Sequence, residues 1–98
     1  MNIDVKKTAD QVTIEVAGRL DTTTAPALEK TISESIQEEK HLILDFNALE
    51  YISSAGLRVL LSAQKRMQKS GSMKLQNVRE EVMDIFEMTG FADILEIE

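Results

Sequence analysis

Apolar and polar positions alternate at the start of the chain. Ile3 and Val5 project to one side of an extended backbone, Asp4 and Lys6 to the other. After Ala9-Asp10 the alternation resumes, with Val12, Ile14 and Val16 set against Thr13 and Glu15. A period of two on both sides of a short polar break predicts two half-buried strands joined by a turn. The chain is then expected to leave the strand at Gly18-Arg19-Leu20-Asp21. Thr22-Thr23-Thr24 ahead of Ala25-Pro26 marks a helix start, because proline's missing N–H costs nothing in a first turn. Ala25, Leu28, Ile32 and Ile36 recur at spacings of three and four and predict one apolar helix face. Glu29, Lys30, Glu34 and Glu38 fall elsewhere on its surface.

His41 to Phe46 reads His-Leu-Ile-Leu-Asp-Phe. A short continuous apolar run predicts a strand buried on both faces, as in the centre of a parallel sheet, and it completes a β-α-β unit. After Tyr51-Ile52-Ser53-Ser54-Ala55-Gly56 a second helical pattern begins, with Leu57, Leu60, Leu61, Gln64 and Met67 as its inner stripe. Ser70-Gly71-Ser72 ends it. Met73 to Val78 predicts a short alternating strand. Glu80 to Met88 predicts a third helix with Val82, Ile85 and Phe86 inward, closed by Thr89-Gly90. Phe91, Ile94, Leu95 and Ile97 are expected to tuck the C-terminus against the core. The order is β-β-α-β-α-β-α. The fold class is α/β, a single small mixed sheet with helices mainly on one face and the other partly wet.

Composition narrows the function classes. The 98 residues suffice for one domain, spanning 1–98, and carry 43% apolar and 29% charged residues, an ordinary globular balance. There is no cysteine, which removes disulfides, thiolate metal sites and cysteine nucleophiles. No apolar run is long enough to span a bilayer, and Met1 to Lys7 lacks the pattern of a signal peptide, so the expectation is a cytoplasmic protein without membrane insertion. A net charge of -6 disfavours direct contact with nucleic acid or anionic lipid. The cluster Lys65, Arg66, Lys69 reads as a solvated helix face rather than a phosphate patch.

A search for catalytic chemistry returns little. His41 is the single histidine and sits at the start of a strand, where a structural role is expected. Glu38-Glu39 and Glu80-Glu81 fall on predicted helix surfaces, and neighbours on a helix do not face one another. No phosphate-binding glycine loop is present. The expectation is a non-enzyme without cofactor or metal. Met67 and Met88 are expected to fill the core. Leu20 and Tyr51 border the loops, either as exposed partner anchors or part-buried; both readings stay open.

The informative segment is Ser53-Ser54-Ala55-Gly56, between a strand and a helix. One reading is helix capping, a serine oxygen accepting from a free first-turn N–H. The other is a phosphorylation switch. Loops at the carboxyl ends of strands face ligands in open α/β sheets, and a helix N-terminus favours negative charge. A phosphate there adds about -1.5 to -2 charges and alters what docks without melting the helix. The two readings are compatible.

These residues resemble the STAS-domain family, and within it the single-domain anti-sigma factor antagonists. The resemblance runs through Gly18-Arg19-Leu20-Asp21, Ala25-Pro26, Leu44-Asp45-Phe46, the string Leu49 to Leu60, and Met88-Thr89-Gly90-Phe91. It implies partner switching. The unphosphorylated antagonist binds an anti-sigma factor with serine kinase activity, which releases its sigma factor; phosphorylation ends the binding and a serine phosphatase resets it. By position the resemblance makes Ser54 the phosphoacceptor, with Ser53 a second choice. Asp21 would contact the partner, in a surface with Leu20, Ser53, Ser54, Gly56 and Arg58. Ser53 stands where familiar antagonists carry aspartate, and Ala55 where they carry Ser or Thr. Those departures leave an alternative, a non-phosphorylated scaffold or a subunit of a lipid-transport ATPase complex.

Overall fold

The computed structural model describes residues 1–37 and 39–98. Its elements are β1 (Asn2–Lys7), β2 (Gln11–Leu20), α1 (Ala25–Ser35), β3 (His41–Ile52), α2 (Ser54–Gln68), β4 (Ser72–Gln76) and α3 (Glu80–Thr89), with a short 3-10 turn at Phe91–Asp93. The four strands lie in the order β1-β2-β3-β4. β1 pairs antiparallel with β2, and β2, β3 and β4 are mutually parallel. The sheet is therefore mixed, and the elements follow the chain order β-β-α-β-α-β-α expected from the sequence.

The alternation of β2 sends Val12, Ile14 and Val16 to one face, where Leu42, Leu44 and Phe46 of β3 and Met73 and Leu75 of β4 join them. Leu28 and Ile32 of α1, Leu57, Leu60 and Met67 of α2, and Val82 and Phe86 of α3 close over that face in one continuous core. Burying such side chains contributes about 1.5–3 kcal/mol each before conformational entropy is charged against it.

β3 differs from its expectation. It runs twelve residues to Ile52 and is buried on one face only; His41 is exposed, and Ile43 and Asp45 are half-buried. With the three helices in one core on the same side, no element among the described residues covers the other. That face carries a polar ladder instead: Lys6 to Glu15 at 2.8 Å, His41 Nδ1 to the Ser72 hydroxyl at 2.8 Å, and Gln76 to Glu98 at 2.8 Å. His41 thus sits at the strand edge, bonded to its neighbour.

β2 also runs further than expected, through Gly18-Arg19 to Leu20. Two irregularities make this possible. Two steps along β2 from Glu15 to Ala17 match three along β3 from Asp45 to Ala48, and Gly18 to Arg19 matches Leu49 to Tyr51. Gly18 takes a φ of 100°, open to glycine at little cost. Each extra residue in β3 shifts its inward parity. Leu49 and Ile52 therefore turn into the core after Phe46, and both strands end together at Leu20 and Ile52.

Several peripheral expectations are corrected. α1 stops at Ser35, and Ile36 is extended but buried. Glu39 is therefore not on a helix surface, and Glu38 lies outside the described residues. Arg66 of the basic cluster donates to the Ile36 carbonyl at 3.0 Å, closing the end of α1, while Lys65 and Lys69 are exposed. Leu61 and Gln64 are only half-buried, and Val59 and Ala63 take the inner places. Ile85 is likewise half-buried. β1 is an edge strand with only Ile3 packed against the core, and Val5 is exposed. Met67 is buried, but Met88 is 86% exposed, because two residues past the buried Phe86 place it roughly 200° round α3, on the outer side. The C-terminus docks through Leu95, and Ile97 forms a parallel bridge to Leu75, whereas Ile94 points outward. No helix among the described residues is long and apolar enough to cross a membrane.

Candidate functional site

The ends of β2 and β3 deliver two loops to one corner of the molecule. The β2–α1 loop begins at Asp21, whose Oδ1 accepts from the Thr23 hydroxyl at 2.8 Å, the Thr23 amide at 3.0 Å and the Thr24 amide at 3.3 Å. The Asp21 carbonyl accepts from the Ala25 amide at 2.8 Å. This is the start of α1. The Thr24 hydroxyl makes no cap bond; it donates to the Arg19 carbonyl at 2.7 Å and accepts from the Asp21 amide at 2.9 Å. The Thr23 hydroxyl is the chief cause holding the Asp21 carboxyl below its ordinary pKa. Partial desolvation opposes it, and the Thr23 and Thr24 amides add to it. The Asp21 carboxylate is held within its own loop by Thr23 and Thr24.

In the loop between β3 and α2, Ser53 is the residue before α2, in extended conformation, and its carbonyl accepts from the Leu57 amide at 2.9 Å. The anticipated hydroxyl cap is not formed: Ser53 Oγ is buried and makes no hydrogen bond among the described residues. Its amide donates instead to the Leu20 carbonyl at 2.8 Å, tying the two loops together. Ser54 is the first helical residue and is exposed. The first turn of α2 carries no acid and no side-chain cap, so its amides offer an electropositive end to an arriving anion.

The structure divides the sequence-derived site residues. Ser54 and Arg58 are exposed, and Asp21 and Ser53 are half-buried. Leu20 is completely buried and Gly56 is buried beneath it, so neither offers surface to a partner as expected. They set the spacing instead. A Cβ on Gly56 would lie 2.7 Å from Ile52 Cγ1 and 2.8 Å from Leu20 Cγ, so the α2 backbone approaches the sheet only because position 56 is glycine. Tyr51 is half-buried, with the Arg19 guanidinium 4.3 Å above its ring centroid.

Sequence reasoning did not single out the groove beside Ser54. Thr22, Pro26 and Glu29 line one side of it, and Ala55, Arg58 and Val59 the other, around a volume of about 320 Å³. Ala25 and Ala55, which also line it, carry side chains too small to fill the space. No cluster of ligands suited to a metal ion is found among the described residues.

A mixed sheet with its helices packed on one core face thus brings a strand-to-helix serine and the loop of Asp21 to one corner. The chain belongs to the STAS domain family, whose model matches residues 2–98. It is 31% identical over 98 residues to the anti-sigma-B factor antagonist of Bacillus subtilis, covering 99% of this chain and 90% of that one. An anti-sigma factor antagonist from Mycobacterium paratuberculosis superposes with a TM-score of 0.88 at 23% identity, over 98% of this chain and 83% of that one. The Bacillus cell fate determinant SpoIIAA in its phosphorylated form gives 0.76 at 20% identity, over 99% and 91%. At these identities the structures establish the shared fold.

Proposed function

We propose that this protein is an anti-sigma factor antagonist that works by phosphorylation-dependent partner switching. The observation that carries the reading is Ser54, exposed at the first position of α2 and flanked by the tethered loop of Asp21. The likeness to the Bacillus subtilis antagonist supports it. In this role the chain is a substrate and a ligand, not a catalyst, and acts in the cytoplasm. The unmodified surface binds an anti-sigma factor with serine kinase activity. On phosphorylation Ser54 Oγ forms a bond to the γ-phosphorus of ATP, the bond to the bridging oxygen breaks, ADP leaves, and the hydroxyl proton passes to a base on the kinase. A serine phosphatase reverses the modification.

Ser54 is favoured over Ser53 as acceptor because the Ser53 oxygen is buried. A dianion set against a partner carboxylate or nucleotide phosphate costs roughly 1–4 kcal/mol per charge pair at surface-like dielectrics. That is a loss of about tenfold to several-hundredfold in affinity, enough to redistribute a shared partner without a change of fold.

The test is incubation with ATP and a candidate anti-sigma kinase encoded nearby, followed by intact mass and site mapping. One phosphate on Ser54, absent from Ser54→Ala, is expected. Ser54→Asp should bind the kinase weakly, and Ser54→Ala should bind it well. No phosphate from a kinase active on another substrate would favour the scaffold reading. That alternative draws on Ser53 and Ala55, where this chain departs from the resemblance at the acceptor loop.

A further inference from the structure

Of the four arginines, three have partners: Arg19 lies over Tyr51, Arg66 bonds the Ile36 carbonyl, and Arg79 pairs with Glu81. Arg58 is exposed and makes no hydrogen bond, ion pair or ring contact among the described residues. Glu29 lines the same groove but does not pair with it. Arg58 stands four residues beyond Ser54 on α2.

Resting on the reading of Ser54 as phosphoacceptor, we infer that Arg58 is the internal receptor of the Ser54 phosphate. Residues at i and i+4 share a helix face, with Cβ atoms about 5–6 Å apart. Helical side chains lean toward the N-terminus, so the Arg58 stem leads back toward Ser54. An anion at i with a cation at i+4 is the favourable order, in line with the helix dipole. Guanidinium matches phosphate with two parallel hydrogen bonds. Phosphorylation therefore makes two changes at once. It adds a dianion, and it withdraws a cation that the unmodified surface leaves available to a partner. The modified domain differs from the unmodified one by more than the charge of the phosphate.

The experiment installs phosphoserine at position 54 during synthesis, so that no kinase is needed, and follows its second ionisation by ³¹P NMR. Arg58 stabilises the dianion, so Arg58→Gln should raise the phosphate pKa by about 0.2–0.7 pH unit, the range of an exposed ion pair. Arg58→Lys should fall between, keeping charge without the fork. Molar salt should shrink the difference. Arg58 is exposed, so the variants should fold, and circular dichroism checks this. A graded shift supports the assignment, because a merely structural role moves no such titration. Coincident curves for wild type and Arg58→Gln overturn it. Because the phosphate is placed chemically, that failure concerns Arg58 alone; failure of the kinase to modify Ser54 concerns the proposed function.

Discussion

The Ser53 amide donates to the Leu20 carbonyl at 2.8 Å, and this bond makes one unit of two loops that lie more than thirty residues apart in sequence. It continues the parallel ladder one step past the Leu20–Ile52 pair. The acid on one loop and the serine on the other are held together by the sheet itself.

The tether of Asp21 has a signature in pH. Its folded-state pKa is depressed, so its stabilising effect is fully present above the unfolded value, near 3.9. It is lost as pH falls through the folded value, so the loss begins only below about pH 4. Thr23→Val removes the bond that contributes most. NMR titration of the Asp21 carboxyl should show its pKa rising toward the ordinary value in that variant, and an unmoved titration would contradict the hydrogen-bond assignment.

Ser54→Asp should leave the fold intact and make it slightly more stable. The first turn of α2 has no acid, and one placed there contributes about 0.3–1 kcal/mol. Urea unfolding of Ser54→Asp and Ser54→Ala side by side checks this. The same measurement separates loss of partner binding from loss of structure.

Gly56→Ala should destabilise by about 1–3 kcal/mol, since the new Cβ would crowd Ile52 and Leu20, offset by up to about 1 kcal/mol of helix propensity. Gly56→Val should be worse. An alanine variant as stable as wild type would mean that α2 can lift from the sheet at no cost.

Gly71 and Gly90 should rank oppositely to their conformations. Gly90 is left-handed at φ 82° but has nothing within 4 Å of a Cβ, so Gly90→Ala should cost only about 1–2 kcal/mol. Gly71 has an ordinary φ, yet a Cβ there would lie 1.6 Å from the Lys40 carbonyl oxygen. Backbone yields less readily than a side-chain tip, so Gly71→Ala should cost about 2–4 kcal/mol. Thermal melts of the two variants decide the order.

Methionines of equal hydrophobicity should behave unequally. Met67→Ala empties a buried site and should cost about 2–5 kcal/mol. Met88→Ala, at an 86% exposed position, should stay within about 0.5 kcal/mol.

These contrasts show what could be read in advance. Element order and the inward faces of β2 and α1 were legible, and that of α2 in part, because a period of two or 3.6 is a local property of the chain. The string around Ser54 was legible for the same reason: a serine at a strand-to-helix junction is a local event. The two-sided burial expected for β3 failed because an apolar run reports hydrophobicity but not how many layers will cover it. Met88 failed because the expectation rested on its hydrophobicity, while the period of α3 sets it roughly opposite the buried Val82 and Phe86. Leu20, beside a polar loop in sequence, proved to be core, since its burial depends on α2 arriving over it.

By itself the sequence determined a four-stranded α/β order, an acidic domain without cysteine, and a serine at the mouth of a helix. The tertiary structure alone decided that β2 and β3 end in step. That outcome needs two irregularities in their pairing and a glycine at position 56 to admit the helix. Register and close approach are relations between distant segments, and no local periodicity encodes them. The same holds for Arg58: its spacing from Ser54 is written in the chain, but its lack of any partner is a property of the folded surface.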